Sequence, residues 1–502
     1  MDDRLASIDL GSNTFRLSIG RIVRQGGGAQ LYTEDRLREL IALAEGLDDH
    51  QRIRPATVAQ AIEALQRFGE RLRGFDPANV RAVATNTFRV ARNAAEIIPE
   101  AERALGFPIE IISGQEEARL IYLGVIQDLP PSDDRRLVID IGGGSTEFII
   151  GQRAKPLQLA SLQLGCTIWT KQFFPGGRIT KARMLRAVVA ARSTIEPISR
   201  PYRHLGWQQA YGSSGTAKGL LAVLVENGFS QHGITLDGMQ RLSAALIQAG
   251  RVRLQDWAGL KAERAPVLAG GLAIMMAAFL ELGIENMGAG DGALRVGVLH
   301  DLLGRDSHHD QRDETVRLVG LRHQVDAQQA EHVRQLALVF FDQLNLDTAQ
   351  PQGAELRKAL GWTAALHEAG LAIARNHYHK HSAYILEHAD MPGFSHDDQQ
   401  LLAFLALGQQ GKLAKLRAYA PTRDEWLALC CLRLAVLLLR RREARDALPI
   451  HLQAQDQHIT LTVPEGWLED HPLSCFLLKG ETDIWRKAGF TLELAEQPSA
   501  SD

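Results

Sequence analysis

Over the first 300 positions, apolar residues fall into short runs broken by glycine turns. Ala6–Leu10 and Phe15–Arg21 read as two strands around the first such turn. Val58, Ile62, Leu65, Phe68 and Leu72 recur every three or four residues and predict a helix. Strands follow at Asn79–Ala84 and Pro108–Ile112, running into the segments ATNTFR and SGQEEARLIYLGV. A polar, proline-bearing break at 129–134 ends this first pattern. The pattern then restarts. VIDIGGGSTEFIIG (Val138–Gly151) overlies SIDLGSNTFRLSIG (Ser7–Gly20) at a constant offset of 131 residues, so Asp9 falls on Asp140, Gly11 on Gly142 and Ile19 on Ile150. A later strand enters a glycine turn over Gln209–Thr216, and Gly270-Gly271 sit in an apolar helix. Strands alternating with helices predict an α/β fold in two copies, each opening with an antiparallel hairpin beside parallel strands. Gly304–Glu314 is polar and aperiodic and reads as a linker. Strand signals then vanish until about 450, which predicts a helical domain over 315–448 and a small α/β tail over 449–502.

Composition narrows the function classes. A chain of 502 residues exceeds a single core, while 45% hydrophobic and 23% charged residues suit a globular protein. A net charge of −3 offers no global attraction for nucleic acid or an anionic membrane, so any polyanion must meet a local basic site. Cys166, Cys430, Cys431 and Cys475 lack zinc-ligand spacing and suggest a reduced, cytoplasmic chain. The N-terminus has no basic-then-apolar leader, and the uncharged run Ala265–Leu280 falls short of a membrane span, so no membrane insertion is expected.

Three loops carry candidate chemistry: Gly11-Ser12-Asn13-Thr14, Gly142-Gly143-Gly144-Ser145-Thr146 and Gly212-Ser213-Ser214-Gly215-Thr216. Glycines let several backbone N–H groups converge on a phosphate, and the hydroxyls add donors. Neither a P-loop nor a dinucleotide fingerprint is present. One such loop alone would be no more than a tight turn; three, two of them in register behind strand aspartates, point to phosphate. Asp9 and Asp140 stand where a carboxylate holds Mg²⁺ beside a bound phosphate, or else caps a turn. Glu147 overlies Arg16, so the two halves differ chemically. Glu116 and Glu117 open a helix and periodicity does not separate them as a candidate water-orienting base. Arg89 follows a strand and is a candidate phosphate clamp, as are Lys218 and Arg295 more weakly.

Taken together, IDLGSNTFRL, ATNTFRVA, IISGQEEARLIYLGV, IDIGGGSTEF, GSSGT and DGALRVGVL resemble the exopolyphosphatase/guanosine pentaphosphate phosphatase family, densely over about 1–300. LHEAGL and HYHKHSAYILEHADMPGF extend the likeness to that family's long form. The resemblance implies two duplicated ribonuclease-H-like domains of the actin-like superfamily (1–130 and 131–304), an HD-like helical domain and the α/β tail. It further implies Mg²⁺-dependent hydrolysis of a terminal phosphoanhydride, with Glu117 as catalytic base, Asp140 and Glu147 in the metal site, and a homodimer. A monovalent cation such as K⁺ is a further candidate cofactor. His332, His367-Glu368, His377, His379 and His381 are similar to HD-type metal residues. Glu368 stands where that site needs aspartate, however, so a scaffold without a working metal is expected. With Lys380 and Arg440–Arg442, these histidines are candidates to line a polyanion path. The leading expectation is an exopolyphosphatase, because the long helical extension suits a polymer. The alternatives are a pppGpp 5′-phosphohydrolase and a ppGpp-binding regulator with little turnover.

Overall fold

The computed structural model describes residues 3–25, 28–290, 292–306, 310–346, 350–442 and 450–497. They form two compact units, Met1–Asp310 and Gln311–Asp502.

The first unit holds two sheets. One has the order β3-β2-β1-β4-β5, built from β1 (Arg4–Leu10), β2 (Thr14–Gln25), β3 (Gly28–Leu40), β4 (Val80–Ala84) and β5 (Ile109–Ile111). The other has β6 (Arg135–Ile141), β7 (Thr146–Gln152), β8 (Lys155–Leu162), β9 (Gln209–Gly212), β10 (Ile234–Thr235) and β11 (Asn286–Ala289), ordered β8-β7-β6-β9-β11-β10. Strand for strand the second repeats the first, with β10 added at the edge. In each, the opening strand pairs antiparallel with its hairpin partner and parallel with the strand after the first helices. This is the duplicated ribonuclease-H-like frame of the actin-like superfamily. We propose a lobe boundary near residue 130, where the break between the sheets lies.

The opening strands are buried on both faces, which is why RLASIDL and RRLVIDI read as near-continuous apolar runs. β3 escapes a reading by hydrophobicity because it is an edge strand with a charged sequence, TEDRLREL, over its second half. Ala265–Leu282 is, among the described residues, the segment long and apolar enough to cross a membrane. It lies in the core of the second lobe, packed around Leu272, Ile274 and Met275.

Two helices run between the lobes: α1 (Gly114–Asp128) and α2 (Leu294–Asp306). They cross backbone to backbone, since a Cβ on Gly124 or Gly297 would overlap the other helix's carbonyls at Ala293 or Leu120. Below the crossing, Arg81 of β4 donates to Asp301 (2.7 Å) and Glu110 (2.9 Å), and Arg119 donates to Glu116 (2.7 Å) and Asp301. These charges are buried, apart from partly covered Glu110, and paired, as low-dielectric surroundings require.

The expected linker at Gly304–Glu314 is largely helical: α2 runs to Asp306 and the next helix begins at Gln311, with 307–309 outside the described residues. Among the described residues the second unit is mainly helical between Gln311 and Leu438, followed by a three-stranded sheet of β12 (His451–Gln455), β13 (His458–Pro464) and β14 (Thr491–Gln497). Leu452, Leu461 and Trp485 of the tail share one apolar cluster with Phe340, Leu427 and Leu434 of the helices. The expected boundary at 448/449 lies outside the described residues.

Candidate active site

Within the first unit the glycine loops of both lobes converge on one small cavity of about 130 Å³. Asp9 and the Gly11–Thr14 loop line it from the first lobe, and Asp140, Gly142–Ser145 and Ser213–Gly215 from the second. The loops touch. A Cβ on Gly143 would strike Asn13, and one on Gly144 would strike Asn86, so only glycine allows this approach. Asn13 in turn donates to Thr167 Oγ1 across the cleft (3.0 Å). Ser213 Oγ donates to Asp140, Thr87 Oγ1 donates to Ser12 Oγ (2.8 Å), and Ser214 caps the helix behind its loop.

Four acids gather here. Across the hairpins, Asp9 faces Arg16 and Asp140 faces Glu147. Burial pushes Asp9 up to about 6 against the pull of Arg16, and it raises Asp140 against the Ser213 hydroxyl and Arg16. Glu147 is pushed well up by burial, then by Glu117 and Asp140, while accepting from Ser161 Oγ (2.9 Å). The structure separates the adjacent glutamates of α1. Glu116 is buried in the Arg81–Arg119 network, whereas Glu117 lines the cavity and accepts from Arg89 Nη1 (2.8 Å). Burial raises Glu117, and the Arg89 charge and hydrogen bond oppose it. A carboxylate held this way, beside a cradle of backbone amides, is equipped to accept a proton from water next to a bound phosphoryl group.

Beyond Ser213, Gly215 and Arg264 the cleft widens into an annex of about 540 Å³. Arg16, Arg36, Arg38, Lys218, Lys261, Arg264 and Arg295 line it, against one carboxylate, Glu263, which pairs with Arg38 (3.0 Å). Burial lowers the pKa of both Arg264 and Arg295, with Arg16 adding repulsion in each case. Packing like charges this closely favours an anion between them.

Residues 21–306 match the model of the Ppx/GppA phosphatase family, and residues 311–482 match that family's domain III. The chain belongs to the Ppx/GppA phosphatase family. It is an enzyme, a phosphoanhydride hydrolase. Over 497 residues it is 38% identical to a guanosine-5'-triphosphate,3'-diphosphate pyrophosphatase of Aeromonas hydrophila, with 98% of each chain covered. Identity to that of Aeromonas salmonicida is 37% over the same span. The crystal structure of the Aquifex aeolicus member of the Ppx/GppA family aligns with a TM-score of 0.51 at 26% identity, over 61% of this chain and 99% of that one. An exopolyphosphatase from Cytophaga hutchinsonii aligns with a TM-score of 0.53 at 24% identity, over 60% and 98%, a likeness of fold.

In this Ppx/GppA phosphatase several expected phosphate ligands make contacts within the protein. Arg89 is engaged by Glu117 and by the Ile112 carbonyl (2.9 Å), Thr216 Oγ1 donates to the Ile141 carbonyl (3.0 Å), and Gly212 ends β9 against Ala217. Lys218 and Arg295 line the annex, not the phosphate cavity. Sequence reading missed Arg36, Arg38, Lys261 and Arg264. The two-residue spacing of Arg36 and Arg38 was a usable signal once β3 was recognised; Lys261 and Arg264 lie in turns with no periodicity.

For a divalent metal, the donor set is all carboxylate, the hard oxygen chemistry that suits Mg²⁺. Among the described residues no three His, Cys, Asp or Glu side chains converge into a metal cage. That fits an ion bound by one or two carboxylates and completed by water and substrate phosphate. In the helical unit, His367 Nδ1 lies 2.7 Å from the Ala364 carbonyl and Glu368 accepts from Arg442 (2.5 Å).

Proposed function

We propose that this chain hydrolyses the 5′ γ-phosphate of pppGpp, giving ppGpp and orthophosphate. The observation that carries the reading is the basic annex opening directly from the phosphate cradle. A substrate with a triphosphate at one end of a ribose and a diphosphate at the other needs two separate cationic sites, and cradle and annex supply them side by side. The full-length likeness to two pentaphosphate pyrophosphatases supports the same ranking, so the polymer-first expectation gives way to its alternative. Polyphosphate is the second reading, because a continuous basic wall also suits a linear polyanion.

Loop N–H groups from both lobes hold the γ-phosphoryl oxygens, while Arg16 and Arg264 face the charge leaving towards the β-phosphate. Glu117, steadied by Arg89, orients the attacking water and takes its proton. Asp140 and Asp9 are the residues that would hold Mg²⁺, with Glu147 behind them, and the ion would neutralise phosphate charge. Orthophosphate release by the purified protein with Mg²⁺ tests the reading, with pppGpp, long-chain polyphosphate and ATP in parallel. The expected result is a kcat/KM highest for pppGpp and a fall of about 10²–10⁴-fold in Glu117→Gln. A higher kcat/KM for polyphosphate would restore the polymer reading. Binding of ppGpp with no release from any substrate would leave a regulator.

A further inference from the structure

We infer that Asp128 and Tyr32 form a base-reading end of the substrate site that selects guanine over adenine. The inference rests on the pentaphosphate reading above. A further cavity of about 730 Å³ continues the annex, since Arg36, Lys218 and Arg295 border both. At its far end the wall changes character. Leu31, Tyr32, Asp128 and His300 replace the run of cations, and Tyr32 is 54% exposed.

Asp128 is a poor choice for local stability. It is the last residue of α1, where a carboxylate meets the negative end of the helix dipole. It is exposed and makes no side-chain hydrogen bond or ion pair with the described residues, although Arg295 and His300 feel its charge. Its place along the helix is informative. Asp128 lies eleven residues beyond Glu117 on the same face, about 16 Å at the helical rise. That is the order of reach from the terminal phosphorus of a nucleoside triphosphate to its base. The first turn of α2 crosses between them at Gly124, so the route bends around Arg295, through the annex suited to the 3′-diphosphate.

Guanine presents N1–H and the N2 amine as adjacent donors, and one carboxylate accepts both. Adenine presents a lone pair at N1, which a carboxylate repels. The Tyr32 ring offers a face on which either base stacks, so discrimination falls to Asp128.

The test compares orthophosphate release by the full chain with Mg²⁺ from pppGpp and from its adenosine counterpart, in wild type and Asp128→Ala. We expect wild type to favour guanosine by about 10- to 100-fold in kcat/KM and the variant to lose most of that ratio. The loss should lie in the guanosine KM, because the base is remote from the reacting phosphoryl group. Thermal unfolding of the variant should match wild type or rise slightly, since the change removes a carboxylate from the negative end of the helix dipole. A guanosine-to-adenosine ratio that is the same in both proteins, or near one in wild type, overturns the inference and leaves the pppGpp reading standing. Release from polyphosphate but not from pppGpp overturns that reading, and the base site with it.

Discussion

The two glycine hairpins share a backbone and differ in the residue facing the aspartate. Across β1–β2, Asp9 looks at Arg16; across β6–β7, Asp140 looks at Glu147. At that cross-strand position the repeated strand frame carries opposite charges in the two lobes. The first sets a cation beside its acid, which under the proposed function meets the incoming phosphate; the second sets two acids side by side, which suits the proposed metal. Burial pushes both aspartates up; Arg16 pulls Asp9 back down, whereas across the second hairpin Asp140 adds to the burial that pushes Glu147 well up.

The largest expected effect removes the acid from the second hairpin. Glu147→Gln should lower orthophosphate release from pppGpp by about 10²-fold and raise the Mg²⁺ needed for half-saturation by about 10- to 100-fold. An unmoved Mg²⁺ titration would dissolve the contrast between the lobes. Next comes Asp9→Asn, examined by denaturant unfolding without metal. The folded pKa of about 6 lies above the ordinary 3.8, so Asp9's favourable contribution is full below 3.8 and is lost as pH rises through about 6. The variant should therefore gain up to about 3 kcal/mol over wild type at pH 8 and little at pH 4. Arg16→Gln should then raise KM for pppGpp by about tenfold, the worth of a charged phosphate contact, while leaving the Mg²⁺ titration in place. A shifted Mg²⁺ titration there would mean the hairpins do not divide their labour. The smallest effect is a shape. Arg89 holds Glu117 down against burial, so Arg89→Gln should let Glu117 rise and move the acid limb of the pH–kcat/KM profile to higher pH.

Much of this site was legible in the chain because duplication printed it twice. The 131-residue offset located both hairpins, and alternation of strand and helix located the frame. Legibility failed where a residue's partner lies far along the chain. Periodicity does not say which of Glu116 and Glu117 faces the cleft; Arg119 and Arg81 decide it by claiming Glu116, and both arginines are held in turn by Asp301, far along the chain. Arg89 looked like a free phosphate clamp until Glu117 arrived beside it from another element. The annex was hidden for a related reason. Its cations come from an edge strand and from turns that carry no hydrophobic rhythm, and only the fold assembles them.

The buried charge network also sets an order of assembly. Arg81, Glu110, Glu116 and Arg119 leave the ribosome together, but Asp301, which both arginines require, follows about 180 residues later. At ordinary translation speed that interval is on the order of 10–40 s. Until α2 arrives to cover them, two arginines intended for the interior must stay wet, and α1 lacks the lock that aims Glu117. The first lobe is thus made early but finished late, and a nascent chain cut short before Asp301 carries the motifs of the site without its geometry.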